Sequence, residues 1–321
     1  MKRLNKVWLG RTLLLAALLL PVVAQFTGLT YVIRVGYIIG LSMILGLGLN
    51  FTLGYVGLFD LGFIAFYAIG AYTAAIAASH GAPAIVVFPL AVLVAMAVRL
   101  ALGVTILRVR GDYLAVVTMG FGEIARLSIN NLDALTNGPK GIQVPSARFF
   151  GFVLSETSHY YYIIVASVLL SMIASWRLEN SRIGRAWVAI REDEIAARLA
   201  GLPVANLKLL AFTLSAAFAG LAGAIFAYGE GFVTPESFVI WESILVVSVV
   251  VLGGMGSVTG VLLGALILSG APAMMQAFLS REWINYRYLL FGAILVLVTL
   301  FKPEGLLPSA RREAELTEPV E

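Results

Sequence analysis

The 321-residue chain has no cysteine, only two histidines and only 12% charged side chains. Without thiols there is no disulfide framework, no thiolate nucleophile and no Cys-ligated zinc or iron–sulfur site. His80 and His159 lie far apart, and neither belongs to an H-E-x-x-H helix. No G-x-x-x-x-G-K-[ST] loop occurs, and Gly-Pro-Lys-Gly at 138–141 is not one. ATP hydrolysis, if the function needs it, therefore belongs to another chain. No Lys/Arg run alternates with aromatics, so the net charge of +4 does not indicate nucleic acid. What is abundant is apolar: 60% of residues, with a mean hydropathy of +0.94. Soluble domains are about 45–50% apolar and 25% charged, which excludes a soluble globular enzyme.

Ten apolar stretches run along the chain, at 9–25, 32–50, 53–78, 84–107, 113–129, 160–176, 207–228, 238–252, 258–278 and 288–301. A crossing takes about 17–25 residues, so the eighth and tenth are short. With the N-terminus inside and alternating spans, fifteen of the 22 Lys and Arg residues fall on the cytoplasmic side, five outside and two, Arg99 and Arg126, within spans. This bias orients the chain and predicts an all-α polytopic bundle of about ten transmembrane helices with both termini cytoplasmic. The first 25 residues read as a retained helix rather than a cleaved signal peptide, because the next apolar segment follows at once.

Two hydrophilic interruptions exceed a tight turn. The extracytoplasmic one, 130–159, holds Asn-Gly-Pro-Lys-Gly and reads as an ordered loop. The cytoplasmic one, 177–206, contains a short helical pattern. At 100° per residue Ile195, Ala196, Leu199 and Ala200 share one face. Glu194 and Arg198 are spaced for an i, i+4 pair, and Gly201 and Pro203 stop the helix. Small apolar residues with a charged rim suit docking into a partner's cleft; lying on lipid headgroups is the alternative.

Ala196-Ala197-x3-Gly201 resembles the core of the "EAA" loop of ABC importer permeases. Ile195 stands where that family usually places Glu, with Glu194 one position earlier. Other blocks are similar to the branched-chain amino acid permeases of LivM type, in one order along nearly the whole chain. They include Gly54-Tyr-Val-Gly57-Leu-Phe-Asp-Leu-Gly62-Phe, Ile69-Gly70-Ala71-Tyr72-Thr73, Arg110-Gly111-Asp112-Tyr113 and Gly120-Phe121-Gly122-Glu123-Ile124. Asn137-Gly138-Pro139-x-Gly141, Ser181-Arg182-x-Gly184-Arg185, Gly253-Gly254-Met255-Gly256-Ser257 and Phe301-x-Pro303-Glu304-Gly305-Leu306 complete the set. Phe59-Asp60 departs from the more polar residues the family shows there, which leaves the ligand open.

The resemblance implies a transmembrane permease domain over 1–306 with a polar cytoplasmic tail at 307–321, in the inner membrane. Its partners would be a second permease subunit, giving a heterodimer, two ABC ATPase subunits and an extracytoplasmic substrate-binding protein. ATP and magnesium would bind the ATPase partners, with no cofactor in this chain. Glu194, Ala196, Ala197, Leu199 and Gly201 would couple it to the ATPases, and the transport subunit would not be an enzyme. The expected cargo is a branched-chain or other hydrophobic amino acid, with urea, short amides or another small solute as the alternative. A self-sufficient secondary transporter or channel would want a connected chain of membrane carboxylates, and the sequence has few.

Ionisable groups in spans must face protein or water. Asp60, Glu123 and Arg126 either line the translocation path or lock helices together; Glu242, beside Trp241, reads as solvated near the outer interface. Gly57 and Gly62 surround Asp60, and Gly120 and Gly122 precede Glu123; all are path candidates, because a helix broken at glycine exposes backbone groups to a substrate. Tyr55, Phe59, Phe63 and Phe121 are candidates for an apolar side-chain seat. Gly256, Gly260 and Gly264 form G-x-x-x-G steps that suit close helix packing.

Overall fold

The structure is a computed structural model that describes residues 21, 31–106, 109, 113–149, 152–154, 156–278, 287–302 and 304–308. Apart from residue 21, the expected first span lies outside the described residues, as do 309–321 of the expected tail. The other nine apolar stretches all coincide with helices. Among the described residues five helices are long and apolar enough to cross a membrane, and two more are apolar but shorter.

The bundle begins with α1 (Tyr31–Asn50), which continues as a π-helical turn over Phe51–Val56. Gly57 ends the run in the left-handed region at φ 77°, and α2 starts only at Phe63 and runs to Ser79. The third apolar stretch is therefore shorter than expected. Its first residues finish the preceding helix and form the break, because apolar character is continuous across a turn that the backbone makes at glycine.

Next come α3 (Ala84–Ile106) and α4 (Tyr113–Asn131), then the loop and α5 (Thr157–Glu179). Two short cytoplasmic-type helices follow, α6 (Arg182–Glu192) and α7 (Glu194–Leu199). The chain then re-enters through α8 (Val204–Glu230), α9 (Ile240–Gly253), α10 (Val258–Phe278) and α11 (Arg287–Phe301).

The longest helix, α8, spans about 40 Å at 1.5 Å per residue and packs between α2 and α3. Its contact is backbone to backbone. A Cβ on Gly70 of α2 would meet Gly220 Cα at 2.5 Å, and one on Gly220 would meet Ala91 O at 2.8 Å. One on Gly223 would meet Ala71 N at 2.6 Å. Lipid tails are as apolar as leucine, so helices in a bilayer associate through such close van der Waals fit.

The ends of the bundle are stitched separately. At one end β1 (Ile142–Gln143) pairs antiparallel with β4 (Phe232–Val233), joining the loops after α4 and α8. A hairpin of β2 (Ala147–Phe149) and β3 (Phe152–Leu154) and the Arg34–Glu230 ion pair at 2.6 Å lie in the same group of connections. At the opposite end Gly256 N–H donates to Asn50 Oδ1 at 2.9 Å, and Leu306 and Leu307 N–H donate to Leu252 O and Gly253 O.

Candidate functional site

Three groups of chemistry-bearing residues emerge. The first is the helix pair α6–α7. Ser181 caps α6 by accepting from Gly184 N–H at 3.2 Å, and Trp187 and Ile190 turn into the protein. Trp187 is fully buried and donates from Nε1 to Leu207 O at 2.8 Å. Asp193 ends α6 and caps α7 at once, accepting from Ile195 N–H at 2.7 Å and Ala196 N–H at 2.9 Å. Glu194 pairs with Arg198 at 3.0 Å, as its spacing predicts, and with Lys208 of α8 at 2.6 Å. Ala197 packs inward, whereas Ile195 and Leu199 are 73% and 85% exposed, and Ala196 and Ala200 share their open face. Gly201 sits past the end at φ 84°, a conformation that disfavours side chains with a Cβ.

The second group surrounds the break at 57–62. Asp60 is buried and ion-paired with equally buried Arg99 of α3, and also accepts from Gly62 N–H at 3.2 Å. The Arg99 guanidinium lies between two rings, 4.5 Å from the Phe66 centroid and 4.2 Å from that of Phe212. Cation–π contacts of this kind strengthen once desolvated. A Cβ on Gly62 would strike the Thr118 carbonyl, and one on Gly57 would meet Arg191 Cγ at 2.9 Å. Tyr55 and Phe63 are buried, and Phe121 stacks on Phe66 at 5.7 Å. Of the four candidate aromatics, Phe59 alone is largely open, at 47%.

The third group lies on α4, which runs unbroken through Gly120 and Gly122. Gly122 lies against Gly62, while a Cβ on Gly120 would meet nothing within 4 Å. Val116, Gly120, Ile124 and Leu127 form an open face. At its edge the Glu123 side chain is 44% exposed and pairs with Arg126 at 2.5 Å; Arg126 also reaches Glu236, just after β4, at 3.1 Å. Glu242 stands in the first turn of α9.

Of the three glycines expected in helix packing, two serve the α9–α10 contact. Gly260 and Gly264 of α10 pack on the α9 backbone at Gly253 and Val249. Gly256 precedes α10, at φ 80° in a turn.

Sequence reasoning missed the Arg99 partner of Asp60, the Glu236 partner of Arg126 and the Arg191 contact with the glycine turn. The first two pairs are 39 and 110 residues apart, so no local periodicity flags them. The only signal was an arginine inside an apolar run, which obliges a partner.

Known proteins bear on this arrangement. The family described as branched-chain amino acid transport system / permease component matches residues 28–299. The high-affinity branched-chain amino acid transport system permease protein LivM of Escherichia coli (strain K12) is 41% identical over 94% of this chain and 76% of its own length. LivM of Salmonella typhimurium is 43% identical over 85% of this chain and 69% of its own. LivH of Salmonella typhimurium, a permease protein of the same named system, is 31% identical over 56% of this chain and 59% of its own. No solved structure matches.

Proposed function

The chain belongs to the branched-chain amino acid transport system permease family, and from that premise we propose how its parts divide the work of uptake. It is a multi-pass inner-membrane permease subunit of an ABC transport system for branched-chain amino acids, and not an enzyme. A second permease subunit accompanies it, as LivH accompanies LivM. In our reading the complete importer adds two ABC ATPase chains, which bind ATP and magnesium, and an extracytoplasmic binding protein that delivers the amino acid.

The observation that carries this division is α7. A capped six-residue helix presents Ile195 and Leu199 outward at the arginine-rich end of the bundle and holds itself to α8 through Glu194 and Lys208. An exposed leucine on so short a helix loses its apolar contacts unless a partner covers it, at about 1.5–3 kcal/mol per side chain. An ATPase cleft supplies that cover. ATP binding then closes the ATPases, moves α7, and rocks the bundle between outward and inward openings.

The translocation path is assigned to the open face of α4. Helix α4 is less apolar than the five long spanning helices; if it too crosses the bilayer, a carboxylate on it costs about 2.5–3.5 kcal/mol against lipid, which puts half-open Glu123 against water or the second permease. Its pair with Arg126 offers an acceptor for an ammonium group and a donor for a carboxylate, the two ends of an amino acid. Selectivity for the apolar side chain rests mainly with the binding protein.

The test is the double substitution Ile195→Asp/Leu199→Asp, at two exposed positions. We expect normal membrane insertion and loss of both ATPase chains from the purified complex. ATPase retained in wild-type proportion would overturn the docking assignment.

A further inference from the structure

Arg191 lies one turn beyond Trp187 on α6 and crosses to a different part of the fold. Its Nη1 donates to the Gly54 carbonyl at 2.8 Å. Its side chain lies over Gly57, where a Cβ would come within 2.9 Å of Arg191 Cγ and 3.7 Å of Arg191 Cβ. Gly54 is among the last four residues of the long helical run Tyr31–Val56, whose carbonyls lack helical donors. Arginine therefore fills a vacancy that the helix geometry creates. Beside it Trp187 stacks on Tyr55 with an interplanar angle of 17° and touches Phe51 at 5.9 Å between centroids. Helix α6 thus grips the π-helical turn at two points, one apolar and one hydrogen-bonded.

Single-turn π segments occur frequently at functional sites. This one is followed by left-handed Gly57, open Phe59 and then Asp60, which the buried Arg99 pair anchors. The segment 54–60 is consequently held at both ends by different elements. Arg191 holds Gly54 from α6, and Arg99 holds Asp60 from α3. Since Asp193 both ends α6 and caps α7, a displacement of α7 is passed to α6 across a single residue.

We propose that Arg191 is the positioning residue that carries the movement of the α6–α7 pair to the glycine turn at 54–60, and so resets Phe59 at the open surface during transport. The inference rests on the reading of α7 as the ATPase-docking helix and adds the next link in the transmission. Movement of α6 drags the Gly54 carbonyl while Asp60 stays fixed. The intervening Gly57, which has no Cβ to obstruct rotation, absorbs the change.

The experiment uses the whole importer in proteoliposomes, with its ATPases and binding protein, and reads L-leucine taken up per ATP hydrolysed. Arg191→Met removes the donors and keeps an apolar stem; we expect uptake per ATP to fall at least tenfold with the ATPases still bound. Arg191→Lys, whose ammonium also donates to a carbonyl, should keep at least half of the wild-type ratio. A Met variant within twofold of wild type overturns the proposal, as does a Lys variant as uncoupled as the Met variant, which would assign the defect to packing. Should the Met variant fail to assemble, Phe59→Cys replaces it, in a chain that has no other cysteine. Maleimide labelling of that position that differs at least fivefold between the ATP-free and the ATP-bound importer supports the link, and labelling unchanged by ATP overturns it. Failure of the docking assignment looks different: there, the Ile195→Asp/Leu199→Asp complex keeps its ATPases.

Discussion

Asp60 and Arg99 carry opposite charges into the interior and are covered there by Phe66 and Phe212. Removing one member of such a pair leaves a charge with neither water nor counterion, at about 3–5 kcal/mol, whereas replacing both is often near neutral. Arg99→Met should therefore lower the thermal midpoint of the purified complex sharply. Asp60→Asn/Arg99→Met should recover most of the loss, because the amide oxygen of the introduced asparagine can still accept from Gly62 N–H. A double-mutant cycle on the midpoints checks this, and additive effects would mean that the two groups do not depend on each other. The same burial sets Asp60 apart from Glu123, whose side chain stays nearly half open.

Among the elements, α7 depends most on local chemistry. Six residues form too few helical bonds to hold without help, since helix nucleation is unfavourable. Asp193 satisfies two of the orphan amides at its start, and Glu194 fastens it to Lys208 of α8. Loss of an N-cap costs about 0.5–2 kcal/mol, so Asp193→Ala should weaken ATPase binding by roughly tenfold, while Asp193→Ser keeps most of it. Titration of ATPase onto the detergent-solubilised permease measures the difference; equal affinities would assign the shape of α7 to its neighbours rather than its cap. The long helices follow another rule. Gly70, Gly220 and Gly223 bring α2, α8 and α3 together at backbone distance, so their order comes from fit and not from capping.

For the molecule as a whole, the two stitched ends and the open flank of α4 define what remains to be covered. Val116, Gly120 and Ile124 leave that flank bare next to a half-open carboxylate, a combination unsuited to lipid. The bare side of α5 is different: around Leu170 and Ile173 it is apolar and suits lipid. A single cysteine at Val116 or Ile124 should cross-link through a short bis-maleimide to cysteines introduced in the second permease, and one at Leu170 should not. Since the native chain has no cysteine, any product reports the introduced site. Cross-linking from Leu170 and none from α4 would move the shared path to another face.

Composition and periodicity were enough for the class of molecule, for nine helices among the described residues and for the pattern of α7, because hydropathy and 100° spacing are local properties of the chain. They also marked the glycine-rich stretch 54–62 as a place where a helix can break, and Gly120 and Gly122 as another, where α4 runs unbroken. They could not tell that the break follows a π-helical turn, that Asp60 is sealed by Arg99, or that Arg191 reaches Gly54. Those facts come from residues tens to more than a hundred positions apart meeting in three dimensions. An ionisable side chain in an apolar run announces that it needs a partner. Which partner it finds is settled only when the helices pack, because a bare charge is stabilised only by whatever group the neighbouring helix brings.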